Sequence, residues 1–236
     1  MKRLMAAQKA NTKEILKKLQ SFADPQWKAM LARFGSHPKQ AYGISMPRLR
    51  ALASEIGKDH RLAQELWSSG IHESRILAGM VDEPEKVTAA QMERWARGFG
   101  SWDVVDGTCC HLFVFAAPAW QKAIEWSRRE AEYVKRAGFA LMAYLAVHDQ
   151  QASDAQFARL LPLIRRAAMD ERNFVKKAVN WALRQIGKRN LALNKLAIQT
   201  AKQIRAEDSQ AARWIASDAL RELTGAAVQK RLRAKE

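Results

Sequence analysis

The sequence predicts an all-α fold, built as an α-solenoid of antiparallel helix pairs. Apolar residues recur at helical spacing in almost every segment, and strand-type alternation is nearly absent. The segments come in pairs whose second helices resemble one another, since residues 134–137 (VKRA) are echoed by residues 175–178 (VKKA). Equivalent polar positions, Arg75, Asp106 and Arg136 among them, recur at intervals of 30 to 41 residues. This period is typical of HEAT-like and armadillo repeats.

In the first half of the chain, each predicted helix is delimited by a capping residue, a proline or a glycine. Asp24 and Pro25 start one helix, which Gly35 closes, and Asp59 caps another. Pro84 interrupts the helical pattern after the fifth helix. The predicted helices in this half are residues 2–21, 24–34, 45–56, 59–70, 72–81 and 88–99.

In the second half the same signals delimit longer helices. Ser101 and Ser153 are good N-caps, Pro118 suits a first helical turn, and Gly187 closes a helix. The segment 128–147 is so apolar that we expect it to be buried. The predicted helices are residues 101–117, 118–126, 128–147, 153–161, 170–186, 191–205 and 209–223, followed by a basic C-terminal segment.

Length and composition predict one domain over residues 1–236. The chain is 48% hydrophobic, which is enough for a substantial core. It has no run of ~18 apolar residues that could span a membrane and no apolar N-terminal stretch typical of a signal peptide. The two cysteines, Cys109 and Cys110, are adjacent, so a disulfide scaffold or a cysteine zinc site is not expected. These observations fit a reducing cytoplasm, and a monomer is expected for a helical array with one groove.

The net charge of +16 indicates a polyanionic partner. Nucleic acid is the first interpretation and an anionic membrane surface the second. The charge lies within helical segments, and it is larger in residues 121–236 (+11) than in residues 1–120 (+5). A helical array of this kind presents one concave face. We expect the echoed polar positions to line a concave basic groove that follows a nucleic-acid backbone.

One stretch, residues 98–106, pairs an aromatic ring with a carboxylate at the start of a helix. Its glycines end the preceding helix, and the Ser101 hydroxyl is expected to cap the next one. Trp102 and Asp106 are four residues apart and so share a helix face. Taken alone, Trp102 fits core packing and Asp106 fits the helix dipole. A shared position on the inner helix of a pair favours a functional role.

Basic and aromatic residues elsewhere have two interpretations each. Arg136 either forms an ion pair with an acidic neighbour, such as Glu132 at i−4, or contacts a phosphate. Trp181 is either core or a second aromatic surface facing the groove. The remaining basic positions form either a solvated face or a set of phosphate contacts, which the total charge favours. We predict DNA contacts at Ser45, Met46, Arg48, Lys135, Lys176, Lys177, Arg184 and Lys188, of which the first three lie at a helix N-terminus.

No cofactor is indicated by the sequence. The five histidines show neither metal-ligand spacing nor the companions of a catalytic triad. The Gly98/Gly100 pair lacks the preceding strand of a phosphate-binding loop. We therefore predict neither a metal nor an organic cofactor.

Three stretches together resemble the bacterial DNA alkylation repair enzymes of the AlkD type. They are residues 42–47, 101–106 and 174–184 (YGISMP, SWDVVD and FVKKAVNWALR), and the resemblance runs over most of the chain. It implies a HEAT-like helical array with a basic DNA-binding groove. It also implies a monofunctional DNA glycosylase that excises cationic N3- and N7-alkylpurines from duplex DNA without flipping the base into a pocket.

By motif match, the resemblance places the active surface on Trp102, Asp106, Arg136 and Trp181. The chemistry of the bond agrees with this assignment. A cationic purine leaves as a neutral base without being protonated, so positive charge develops on the deoxyribose. A fixed carboxylate stabilises that charge and orients water, and tryptophan faces attract cations.

Two other function classes stay open from the sequence. One is a non-catalytic HEAT-like module that binds damaged or distorted DNA, and it would bind without releasing a base. The other is a helical array whose basic face meets an acidic protein, and it would show no salt-dependent DNA affinity. The Trp102/Asp106 pair argues against both, because a carboxylate within a DNA groove repels phosphate.

Overall fold

The computed structural model describes residues 11–234, and within them the fold is entirely helical. The all-α prediction is therefore confirmed. Short 3₁₀ turns occur at Pro84–Lys86 and Phe113–Phe115. The helices are α1 (Thr12–Ser21), α2 (Pro25–Arg33), α3 (Met46–Ile56), α4 (His60–Ser68), α5 (His72–Val81), α6 (Ala89–Ala96), α7 (Trp102–His111), α8 (Ala119–Trp126), α9 (Glu132–His148), α10 (Asp154–Ala158), α11 (Leu161–Ala167), α12 (Asn173–Gly187), α13 (Leu191–Arg205), α14 (Gln210–Leu223) and α15 (Ala226–Arg233). Residues 2–10 of the first predicted helix lie outside the described range.

The chain divides into two compact units, one ending at Lys86 and the other starting at Val87. Across residues 11–234, no helix has the length and apolar character needed to cross a membrane. That residues 1–236 act as one DNA-binding domain stays a prediction.

In the first unit, a buried carboxylate fixes the loop that leads into α3. Glu73, 1% exposed, accepts hydrogen bonds from the backbone N–H groups of Tyr42, Gly43 and Ile44. Gly43 has a positive φ of 79°, and a Cβ there would lie 2.3 Å from the Asp24 carbonyl oxygen. Only glycine fits this close approach without strain. The loop thereby sets the position of the α3 N-terminus.

In the second unit, helices α7, α9, α12 and α14 pack side by side, and we call this row the site layer. The helices α8, α11 and α13 pack behind it, against α9, α12 and α14 respectively. This arrangement of helix pairs is the HEAT-like architecture that the repeat period predicts. The core centres on α9, whose residues Phe139, Leu141 and Met142 are fully buried.

Four helix boundaries predicted in the second half of the chain are wrong, and in the first half the helix predicted over 88–99 ends at Ala96. The helix predicted over 101–117 ends at His111, because Phe113 and Val114 turn into the core in a 3₁₀ turn. The helix predicted from 128 begins at Glu132, and the carbonyl of Glu130 accepts a bond from Arg172 instead. The segment 153–161 divides into α10 and the start of α11, where a proline occupies the first turn.

The fourth boundary concerns Asp170, which was predicted to begin a helix. The helix α12 begins at Asn173, because the Asp170 carboxylate accepts hydrogen bonds from Arg172 and Lys135.

At α7, Ser101 does hold the N-cap position, but its side chain makes no capping hydrogen bond. The carboxylate of Asp103 accepts from the Val104 N–H at 3.0 Å instead.

Candidate functional site

A two-point ion pair between Asp106 and Arg136 joins α7 and α9, the first two helices of the site layer. Arg136 Nε donates to Asp106 Oδ1 at 3.0 Å, and Arg136 Nη2 donates to Asp106 Oδ2 at 2.6 Å. Helices α7 and α9 pack together, so the two side chains meet although they are 30 residues apart. Of the two sequence interpretations of Arg136, the ion pair with an acidic residue is present, but the partner is Asp106 on α7 and not Glu132. The phosphate contact stays a prediction.

Arg136 also joins α9 to α12 and covers Trp102. Its Nη1 donates to the Phe174 carbonyl oxygen at 2.7 Å, and its guanidinium carbon lies 5.9 Å from the centroid of the Trp102 ring. That separation is within the range of a cation–π contact. One arginine therefore links the carboxylate, the first tryptophan and the start of α12.

Burial sets the electrostatics of the pair. Arg136 is 7% exposed, and the Asp106 side chain is 19% exposed. Burial raises the pKa of the Asp106 carboxyl above its ordinary value, and the positive charge of Arg136 acts in the opposite direction. A buried carboxylate held against a buried guanidinium is an environment in which nearby charge interacts strongly.

Trp181 is connected to the pair through Tyr144, a residue that the sequence analysis missed. The rings of Tyr144 and Trp181 meet edge to face with centroids 4.8 Å apart. Burial first, and then the negative charge of Asp106, raises the pKa of the Tyr144 hydroxyl. Helical spacing could have identified it, because Tyr144 is eight residues after Arg136 and so lies on the same face of α9.

The two cysteines differ in their surroundings. Cys109 is fully buried, and burial raises the pKa of its thiol well above the usual value. Cys110 is only partly buried, and it is one of the groups that raise the pKa of the Tyr144 hydroxyl.

Three of the predicted phosphate contacts are already ion-paired. Lys135 Nζ lies 3.1 Å from Asp170, Lys188 Nζ lies 2.6 Å from Glu222, and Arg184 bonds the same Glu222 carboxylate. The first pair joins α9 to the segment before α12, and the other two join the C-terminal end of α12 to α14. A DNA phosphate has to compete with a carboxylate for each of these three cations.

The other predicted contacts are more accessible. Lys177 is exposed, and Lys176 Nζ lies 5.7 Å from the centroid of the exposed Trp214 ring. In the first unit, Ser45 and Arg48 line a cavity of about 140 Å³, with Met46 at the start of the adjoining helix. Arg48 packs its guanidinium carbon 5.4 Å from the Phe22 ring centroid.

No group of three or more His, Cys, Asp or Glu side chains that could hold a metal ion occurs in residues 11–234. What the site layer brings together is a carboxylate, an arginine, two tryptophans and a tyrosine. The fold and these residues define a helical-repeat protein with an ionic and aromatic surface site.

Comparison with known proteins identifies the family. The family model described as "DNA alkylation repair enzyme" matches residues 15–223, and the chain belongs to this family. A search of curated proteins found no significant match.

A solved structure supports the fold independently. It is described as belonging to "a new family of proteins related to the HEAT-like repeat DNA glycosylases with affinity for branched DNA structures". It aligns with a TM-score of 0.75 at 19% identity, over 91% of this chain and 96% of the other. At this identity the likeness establishes the HEAT-like fold.

Proposed function

We propose that the protein is a monofunctional DNA glycosylase that excises cationic N3- and N7-alkylpurines from duplex DNA. The observation that carries the proposal is the partly buried Asp106 carboxylate, held by Arg136 beside Trp102 in a strongly basic protein. In a protein that only binds DNA, a carboxylate at this place is unfavourable, because it repels phosphate. The pair with Arg136 gives the carboxylate a structural role, and stabilising a cation gives it a chemical one.

The reaction needs a negative charge and a water molecule but no acid. An alkylated purine already carries a positive charge, so cleavage of the glycosidic bond releases a neutral base. The electron deficiency passes to the deoxyribose, which becomes oxocarbenium-like in the transition state. Asp106 stabilises that charge, and one of its oxygens orients the water that attacks C1′ and accepts the proton that this water loses.

The ion pair with Arg136 leaves Asp106 able to do this. Each carboxylate oxygen accepts one hydrogen bond from Arg136, and a carboxylate oxygen has two lone pairs. One lone pair on each oxygen therefore remains for water or for the sugar. Arg136 uses three of its five N–H groups on Asp106 and Phe174, and the other two suit a phosphate beside the lesion.

Trp102 and Trp181 are proposed to select the charged lesion. Indole faces attract cations, and the contact is worth more when it is desolvated. Tyr144 supports Trp181 by its edge-to-face contact. The lesion nucleotide would lie against these rings at the surface of the site layer, without entering a base-flipping pocket. No cofactor has a role in this mechanism.

The phosphate backbone is proposed to contact Ser45, Met46 and Arg48 in the first unit, and a second set of residues in the site layer. That second set is Lys135, Lys176, Lys177, Arg184 and Lys188. We expect a monomer acting on chromosomal DNA in a bacterial cytoplasm.

The test is product analysis on methylated duplex DNA. The protein should release free 7-methylguanine and 3-methyladenine and leave abasic sites without cutting the strand. Undamaged duplex serves as the control for non-specific release. Strand cleavage together with base loss, or release from undamaged DNA alone, would contradict a monofunctional alkylpurine glycosylase.

A second candidate is a non-catalytic module that binds distorted DNA. Two observations favour it: the solved structural neighbour is described by its affinity for branched DNA, and Arg136 neutralises Asp106 in the absence of DNA. Binding to damaged or branched DNA with no released base would select this function. Absence of salt-dependent DNA binding would instead select the protein-binding alternative.

A further inference from the structure

A second tryptophan–cation–carboxylate cluster lies on α14 in the site layer. Trp214 and Asp218 are four residues apart, as are Trp102 and Asp106 on α7. Lys176 Nζ lies 5.7 Å from the centroid of the Trp214 ring, and the Arg136 guanidinium carbon lies 5.9 Å from the centroid of the Trp102 ring. The pattern of the first cluster is therefore repeated elsewhere in the same layer.

The second cluster differs from the first in its carboxylate. Asp218 accepts a hydrogen bond from Asn180 Nδ2 at 2.7 Å, bonds Arg221, and lies 3.7 Å from Arg184 Nε. Two guanidinium groups and an amide thus lie around this carboxylate, and Arg184 is shared with Glu222. The binding role considered for this cluster rests on its tryptophan and lysine and not on Asp218.

The tryptophan of the second cluster is also more exposed to solvent than Trp102. Trp214 is 41% exposed, one of the few exposed large apolar side chains in the described residues. The half-buried Lys176 reaches over its ring, and the neighbouring Lys177 is exposed. An exposed indole beside a lysine is the arrangement that proteins use as a stacking platform for nucleotides.

We propose that Trp214 and Lys176 form a second nucleotide-binding point, which takes an unpaired nucleotide of the bound DNA. The base stacks on Trp214, and its phosphate is bonded by Lys176 and Lys177. In paired DNA the faces of the bases are covered by their neighbours, so an exposed indole gains this contact only from an unstacked base. This inference rests on the DNA binding of the proposed function and not on its base release.

The test compares two fluorescently labelled DNAs of the same sequence, one fully paired and one with a short single-stranded gap. The wild type should bind the gapped DNA more tightly. Trp214→Ala should weaken binding to gapped DNA about tenfold and leave paired DNA unchanged, because one base stack is lost. Trp214→Phe retains a ring and should keep most of the preference.

A matched control is Leu196→Ala on α13. Leu196 is 40% exposed, as open as Trp214, but lies in the row of helices behind the site layer. This variant should behave as the wild type on both DNAs. The proposal would be overturned if Trp214→Ala kept the wild-type affinity for gapped DNA, or if it lost affinity equally for both DNAs. A wild type that does not prefer gapped DNA over paired DNA would also overturn it.

Base release distinguishes this proposal from the proposed function. At saturating protein, Trp214→Ala should release methylated bases from duplex DNA at the wild-type rate. If the wild type releases no base while the gap preference depends on Trp214, the glycosylase assignment fails and the second binding point stands. If Trp214→Ala abolishes base release at saturation, Trp214 belongs to the first site and this inference is wrong.

Discussion

Arg136 holds both carboxylate oxygens of Asp106, at 3.0 and 2.6 Å, from a helix that does not precede or follow α7 directly in the chain. The contact ties α7 to α9, and the bond to the Phe174 carbonyl extends it to α12. The same arginine therefore has a structural and a proposed functional role. Experiments on this pair have to separate the two roles.

Replacing Arg136 should cost stability in a pH-dependent way. Arg136→Gln leaves Asp106 buried without its partner, and breaking a buried ion pair costs about 3 kcal/mol or more. Burial then raises the pKa of Asp106 further. A carboxyl group whose pKa is raised in the folded state destabilises the fold as the pH rises through that pKa. The loss of stability in Arg136→Gln should therefore be large near neutral pH and smaller in acid.

Urea unfolding of both proteins, at about pH 5 and about pH 8, measures this effect. The free-energy difference between wild type and Arg136→Gln should be greater at the higher pH. A difference that is the same at both pH values would mean that Asp106 is not the group left unpaired.

The pH profile of base release should have an acid limb set by Asp106. The proposed mechanism needs the ionised carboxylate, and burial raises its pKa above the ordinary value of 3.8. Activity should therefore fall as the pH decreases, with a midpoint above 3.8. Single-turnover release, corrected for acid depurination of the DNA alone, measures the limb. Full activity down to the ordinary carboxyl pKa would contradict a buried catalytic Asp106.

Asp170 should contribute to stability at neutral pH through Lys135 and Arg172. Burial acts to raise its pKa, but hydrogen bonds from Arg172 and Lys135 outweigh this and lower the pKa from 3.8 to about 2. A lowered folded-state pKa stabilises the fold above the unfolded value, and this contribution is lost as the pH falls toward 2.

The Asp170 side chain is 10% exposed, and Asp170→Asn should reduce the free energy of unfolding by about 2 kcal/mol at neutral pH. Denaturant unfolding at a series of pH values checks it. The difference in the free energy of unfolding between wild type and Asp170→Asn should decrease below about pH 4. A difference that does not change with pH would show that the loss of stability comes from packing.

Gly138 should be intolerant of a side chain, because α9 passes against the end of α8 there. A Cβ at Gly138 would lie 2.4 Å from Ser127 N and 2.8 Å from the Trp126 carbonyl carbon. Both atoms belong to the backbone, so neither moves aside easily. Gly138→Ala should destabilise the protein by about 2 kcal/mol or more.

Gly100→Ala is the matched control, since a Cβ at Gly100 meets no atom within 4 Å. Its thermal midpoint should stay near that of the wild type. Equal midpoints for Gly138→Ala and the wild type would mean that α8 and α9 are farther apart than the structure has them.

Sequence predicted the helices best where capping and periodicity agree. The bounds of α13 are those predicted, and Asp59 and Ser153 cap the helices expected of them. The prediction failed at His111, because Phe113 and Val114 continue an apolar pattern that gives no sign of a turn. Periodicity records which residues are buried, and a 3₁₀ turn buries apolar residues as well as a helix does.

The site was only partly predictable for a related reason. Trp102 and Asp106 share a helix, so their proximity follows from spacing alone. The partner of Arg136 depends on how α7 and α9 pack, and Glu132 was equally available in sequence. Tyr144 went unnoticed because a tyrosine in an apolar helix resembles core. Whether these residues perform the proposed reaction stays a prediction.

The most direct measurement is the single-turnover rate of 7-methylguanine release by Asp106→Asn at saturating protein. Asp103→Asn, on the same helix, is the control for the loss of a carboxylate. DNA affinity and unfolding should be measured for both variants. We predict that Asp106→Asn binds DNA but releases base at least about a hundredfold more slowly, while Asp103→Asn matches the wild type. Release by Asp106→Asn within a few-fold of the wild-type rate would contradict the assignment of Asp106 as the catalytic residue.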